Sequence, residues 1–196
     1  MDVNIQQPER GIASMPPPLA QQDPETTSRY REAILGLDPI TGIANRRLFE
    51  YQGEKAFSLA QRHHDDLGLV VFRLEDLETI AVNGGMPKAK LLLQTFAAQL
   101  SDNARSHDTA GRLSRSRFGM LLPGAREFGA HKFAVRLLNV LREAVEAEQR
   151  CAISAAATAT NSRGCNAFHE LHEHAAQRLD EALSAGGSRL VSSFCQ

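Results

Sequence analysis

The stretch from Arg105 to Leu122, RSHDTAGRLSRSRFGMLL, constrains this chain more than any other. It opens at a helix end and continues as two short apolar arms, Thr109 to Leu113 and Phe118 to Leu122. Ser114-Arg115-Ser116-Arg117 form the polar break between them, and Pro123-Gly124 closes the second arm. Two arms of strand length around a short Ser-bearing break predict a β-hairpin, and Pro-Gly marks a turn.

The remaining segments arrange themselves around that hairpin. Residues 1–28 are rich in Gln, Pro, Ser and Thr, with the run Pro16-Pro17-Pro18. Such a composition buries too little apolar surface to offset chain entropy, so a disordered tail is expected there, with a folded domain over 29–196. Arg29 to Gly36 is expected to form a lead-in helix. Asn45, a good N-cap, is expected to start a helix reaching His63. Leu67 to Leu74, LGLVVFRL, is a nearly continuous apolar run and predicts a strand buried on both faces. Asp76 to Val82 is helical in pattern, Gly84-Gly85 interrupts it, and Pro87 suits the first position of the next helix. That helix is expected to turn Leu91, Leu92, Phe96, Ala97 and Leu100 inward. After the hairpin come a helix over Arg126 to Glu148 (Phe133, Leu137, Val140, Leu141 and Val145 inward) and a strand over Cys151 to Thr160. A helix over Asn166 to Ala185 and a last strand over Arg189 to Phe194 complete the chain. The fold class is α/β (α+β). Its centre is a ferredoxin-like β-α-β-β-α-β core with an added helix and strand, a central sheet containing antiparallel pairs and flanked by helices.

Charge is nearly balanced, with 22 Lys and Arg against 23 Asp and Glu, so nothing global points to nucleic acid or an anionic membrane surface. No apolar run approaches the ~20 residues that span a bilayer. Cys151, Cys165 and Cys195 are odd in number and fit no CxxC spacing. A reduced, cytoplasmic compartment is expected. His169, His172 and His174 stand at i, i+3 and i+5, which does not give the i, i+4 pair of a zinc-binding HExxH helix.

Asp38-Pro-Ile-Thr-Gly-Ile-Ala-Asn45-Arg46-Arg47-Leu-Phe49 and the hairpin with its preceding Arg105-Ser-His-Asp108 together carry a resemblance. The chain resembles the GGDEF family, the diguanylate cyclases, over roughly residues 30 to 192. The first segment matches the family's opening DxxTGxxNRRxF, Arg105 and Asp108 its RxxD, and Arg112 the Arg that ends its hairpin strand. The family's five-residue turn falls on Ser114-Arg115-Ser116-Arg117-Phe118, of which only the Phe agrees.

Joining two GTP molecules is phosphoryl transfer and needs carboxylate-held divalent metal. By the resemblance, the metal-binding Asp of the first strand falls on Arg73, and the turn carboxylates on Ser116 and Arg117. The guanine-reading Asn and Asp fall on Ala81 and Lys90, and the phosphate-binding Lys on Glu78. The Lys and Arg of the last helix fall on Leu183 and Gly187. From these positions the expectation is a domain that is not an enzyme and holds no metal or cofactor. Arg73, Lys88, Lys90, Arg115 and Arg117 would instead converge as an anion pocket, or lie as a solvated basic face paired with Glu75, Asp76 and Glu78.

The RxxD pair implies a cyclic di-GMP site. Arg105 would fork onto phosphate and guanine, Asp108 would accept from guanine N–H groups, and Arg136 on the following helix would assist. The expected function is thus a catalytically inactive regulatory domain of cyclic di-GMP signalling that binds the dinucleotide and alters contact with a protein partner, a second copy of the chain included. A protein-interaction scaffold without nucleotide is the other reading.

Overall fold

The computed structural model describes residues 36–149, 151–160 and 165–192. The expected tail and nearly all of the lead-in helix lie outside the described residues. The elements are β1 (Ala44–Asn45), α1 (Arg46–His63), β2 (Leu67–Leu74), α2 (Leu77–Asp102), β3 (Thr109–Arg112) and β4 (Arg117–Pro123). They continue with α3 (Glu127–Gln149), β5 (Ile153–Ala159), α4 (Phe168–Ser184) and β6 (Leu190–Ser192). The six strands form one sheet in the order β1-β3-β4-β2-β5-β6. The outermost pairs, β1 with β3 and β5 with β6, are parallel, and the inner pairs are antiparallel. This is the mixed α/β sheet flanked by helices that the sequence predicts.

β2 is buried on both faces because successive side chains alternate across the sheet. Val70, Phe72 and Leu74 join Phe118, Met120 and Leu122 of β4 in a core closed by α2 and α3. Leu67, Leu69 and Val71 join Leu121 in a second core, closed by Phe49 and Phe57 of α1 and by Leu171 and Leu179 of α4. Asn45 caps α1, its side chain accepting from the Leu48 N–H at 2.9 Å. Among the described residues no helix is long and apolar enough to cross a membrane.

Two details differ from expectation. β1 is a two-residue strand with no pattern of its own, held by its register with Gly111 and Arg112. Leu91 is exposed, and Leu93 turns inward beside Ala89, Leu92, Phe96 and Leu100. The helical stripe is set by the restart after Gly85, and Leu91 falls outside it. The two helices expected around Gly84-Gly85 are present as the two arms of α2, which meet at a kink where Gly85 has φ 79° and ψ 163°.

Candidate functional site

The hairpin turn is fastened at three points. Within it, Leu113 N–H and Ser114 N–H donate to the Arg117 carbonyl at 2.9 and 3.3 Å. To β2, the Leu74 N–H donates to the Ser116 carbonyl at 2.9 Å. From beneath, Arg112 donates to the carbonyls of Ser114 (3.2 Å) and Arg115 (2.9 Å) and to both carboxylate oxygens of Asp38 (3.2 and 3.3 Å). The opening DxxTG segment and the hairpin are therefore one unit. Asp38 Oδ1 also accepts from the Ile40 and Thr41 N–H groups and from the Thr41 hydroxyl.

The cations predicted to converge are divided between two places. Arg73 and Arg117 are register partners across β2 and β4, and strand alternation puts them on the face covered by α1 and α4. There Arg117 donates to Asp180 of α4 at 3.0 Å. Lys90 and Arg115 line a cavity beside α2, and Arg115 donates to Glu78 at 3.0 Å. Lys88, also on α2, is exposed. The Arg115 and Arg117 pairs are largely exposed, a setting in which ion pairs contribute ~0–1 kcal/mol.

The residues at the end of β2 do not fit a divalent cation. Arg73 and Arg117 present like charge, and Ser116 no carboxylate. The carboxylates that follow are engaged elsewhere. Glu75 Oε1 accepts from Ser154 Oγ at 2.5 Å and from the Ser188 N–H at 2.8 Å, Asp76 Oδ2 from the Ala152 N–H at 3.3 Å, and Glu78 from Arg115. Among the described residues no group of three or more His, Cys, Asp or Glu could hold a metal ion. His172 lies stacked on Phe168, and burial holds its imidazole below the usual histidine range.

Arg105 and Asp108 are brought together in the turn between α2 and β3. The Asp108 N–H donates to the Arg105 carbonyl at 3.1 Å, and the Arg105 N–H donates back to Asp108 Oδ2 at 2.8 Å. The Asp108 side chain is 3% exposed, so its carboxylate faces into the loop, while Arg105 stands in solvent. Arg136 lies exposed on α3, its guanidinium 5.5 Å from the Phe133 ring centroid. Sequence reasoning missed the apolar walls of the cavity beside α2. Its signal was the Gly84-Gly85-x-Pro87 interruption with apolar residues on both sides.

The sequence matches the family model described as "Diguanylate cyclase, GGDEF domain" over residues 35–189. It is 30% identical over 161 residues to diguanylate cyclase DgcP of Pseudomonas aeruginosa, a match covering 78% of this chain and 23% of that protein. The chain spans between a tenth and a third of the length of the curated relatives it matches. Among solved structures, a microbial GGDEF domain studied for its interaction with cyclic di-GMP superposes with a TM-score of 0.70 at 24% identity, covering 79% of this chain and 97% of that one. The active GGEEF domain of a diguanylate cyclase from Vibrio cholerae gives a TM-score of 0.70 at 19% identity, covering 76% and 96%. The family model and the relatives named as cyclases point to an enzyme, and they overturn the expectation that this chain is not one. That expectation rested on side-chain identity at a few aligned positions. Phosphoryl transfer depends on where charge and donors stand in space, which a letter-by-letter comparison does not measure.

Proposed function

We propose that this chain, which belongs to the GGDEF family of diguanylate cyclases, acts in cyclic di-GMP signalling by binding the dinucleotide at the Arg105–Asp108 loop. One observation carries the reading. Asp108 Oδ2 fixes the Arg105 backbone at 2.8 Å while the Arg105 side chain is exposed. A guanidinium held at its base presents a planar fork to phosphate or to a base edge with less ordering to do on binding. Arg136 on the neighbouring helix is the assisting cation, and the solved relatives seen with cyclic di-GMP support the ligand's identity.

The test is calorimetric titration of the full chain with cyclic di-GMP, together with an assay of product from GTP and magnesium. Saturable binding that disappears in Arg105→Ala is expected. Absence of binding, or binding unchanged in Arg105→Ala, rejects the site, and the GTP assay reads turnover separately.

A second reading, contact with a protein partner or a second copy of the chain, is favoured by the outer face of α3. Phe128 and Val135 stand exposed there seven residues apart, at 48% and 41%. Concentration-dependent association lost in Val135→Asp supports it.

A further inference from the structure

A thiol and an imidazole meet at the entry to α4. His174 Nδ1 lies 3.5 Å from Cys165 Sγ, within hydrogen-bond reach for sulfur. The two stand nine positions apart, outside the i, i+3 and i+4 neighbours of a helix. Cys165 precedes α4, His174 is in its second turn, and the chain folds back between them. Asn166 is held from both sides there. Its N–H donates to Glu170 Oε2 at 2.8 Å, and its carbonyl accepts from Gln61 of α1 at 3.5 Å. Phe168 and Leu171 are buried and fix how α4 lies, and with it the half-buried His174.

Cys165 is only 9% exposed, but it forms part of the wall of a half-open cavity of about 470 Å³. Phe57, Ala60 and Gln61 line that cavity from α1, His64 and Asp65 from the turn after it, and Thr160 from the end of β5. The volume is that of a small-molecule site, ~300–1,000 Å³. Gln61, His64, Asp65 and Thr160 make it polar, so a small polar molecule can reach the thiol. The titratable groups around the pair are His64 and Asp65 across the cavity and Glu170 on α4. Cys151 is the contrast. It is fully buried, and burial pushes its thiol up.

We propose that Cys165 is a modification site that takes a small polar disulfide, with His174 as its base. An ordinary thiol is only a few per cent thiolate at neutral pH, and an adjacent imidazole raises the reactive fraction. His174 Nδ1 takes the Cys165 proton, and the thiolate attacks one sulfur of the disulfide. The incoming S–S bond breaks as the Cys165 S–S bond forms, and the departing thiolate takes the proton back from His174. Cys165 is oxidised, the departing sulfur is reduced, and the incoming disulfide is the oxidant. The site shares no residue with the Arg105–Asp108 loop and does not rest on the dinucleotide reading.

The test treats the full chain with the disulfide of mercaptoethanol and reads each cysteine by peptide mapping in a mass spectrometer. A mixed disulfide on Cys165, reversed by dithiothreitol, is expected, with Cys151 unmodified as the internal control for a folded chain. His174→Ala should slow the reaction at Cys165 at least tenfold near neutral pH. The gap should close at about pH 9.5, above the ordinary thiol value of ~8.5, where a thiol ionises without help. A merely structural role for His174 would leave the same gap at both pH values. Circular dichroism checks that the variant keeps its fold. No mixed disulfide on Cys165, a rate unchanged in His174→Ala, or a gap that persists at high pH overturns the proposal.

Discussion

Arg112 reaches across 74 positions of sequence to Asp38, its Nη1 lying 3.2 and 3.3 Å from the two carboxylate oxygens. Both side chains are mostly buried, at 9% and 16% exposed. Arg112 simultaneously holds the hairpin turn by two carbonyls. Removing the Arg leaves a carboxylate in a place with little water. Arg112→Met is expected to cost about 2–4 kcal/mol of stability, measured by urea unfolding. Asp38→Asn, which keeps an acceptor, should cost less. Equal and small losses in both would remove this pair from its role.

Phe49 occupies a slot that only glycines leave open. Gly111 and Gly119 are register partners on β3 and β4, and a Cβ on either would stand 2.4 or 2.6 Å from the Phe49 ring. Phe49 is fully buried and cannot withdraw. Gly111→Ala is expected to destabilise by about 1–3 kcal/mol through overpacking. Adding Phe49→Leu should restore part of that loss although it is itself a destabilising change. Additive losses in the double variant would show that the ring is not the obstacle.

What could be read from the sequence was local. Leu67 to Leu74 announces its own burial, Asn45 its own cap, and Gly84-Gly85-x-Pro87 its own bend. The pairing of Arg117 with Asp180, 63 residues away, was not legible, because it depends on which face of β4 looks at α4. The inward face of Asp108 was not legible either. The RxxD pattern presents the carboxylate as a ligand group, whereas the fold turns it onto the backbone of Arg105. β1 has too few residues for any pattern and exists through its neighbour β3. The cavity beside α2 draws on Ile40, Leu77, Leu93 and Arg115, which only the sheet brings together.

His172 gives the fold a pH dependence with a definite sign. Burial is the main cause of its lowered pKa, reinforced by Arg46 and Arg117 and opposed by Glu50 and Glu173. The unfolded chain therefore binds a proton at this position before the folded protein does. Stability is highest above the ordinary histidine value of 6.5 and falls as pH drops through 6.5 toward the lower folded-state value. His172→Gln is expected to flatten that part of the stability profile, measured by chemical unfolding between about pH 7.5 and 5. An unchanged slope would assign it to other groups.

Adjacent glycines at the elbow of α2 should respond in opposite ways. Gly85 has φ 79° and ψ 163°, a backbone region open essentially to glycine alone. A Cβ there would meet only Pro87 Cδ at an ordinary 3.5 Å, so the cost of Gly85→Ala is in the backbone and not in space. That cost is expected to be about 1–3 kcal/mol. Gly84 is helical, and its Cβ would press on Lys88 Cδ at 2.5 Å, the middle of a long exposed side chain that can swing away. Gly84→Ala gains helix propensity of up to about 1 kcal/mol and should be neutral or stabilising. Thermal unfolding of the two variants side by side decides the matter. Identical behaviour in both would mean that the bend is held by Pro87 and the packing of Leu77 and Leu93, with Gly85 only following.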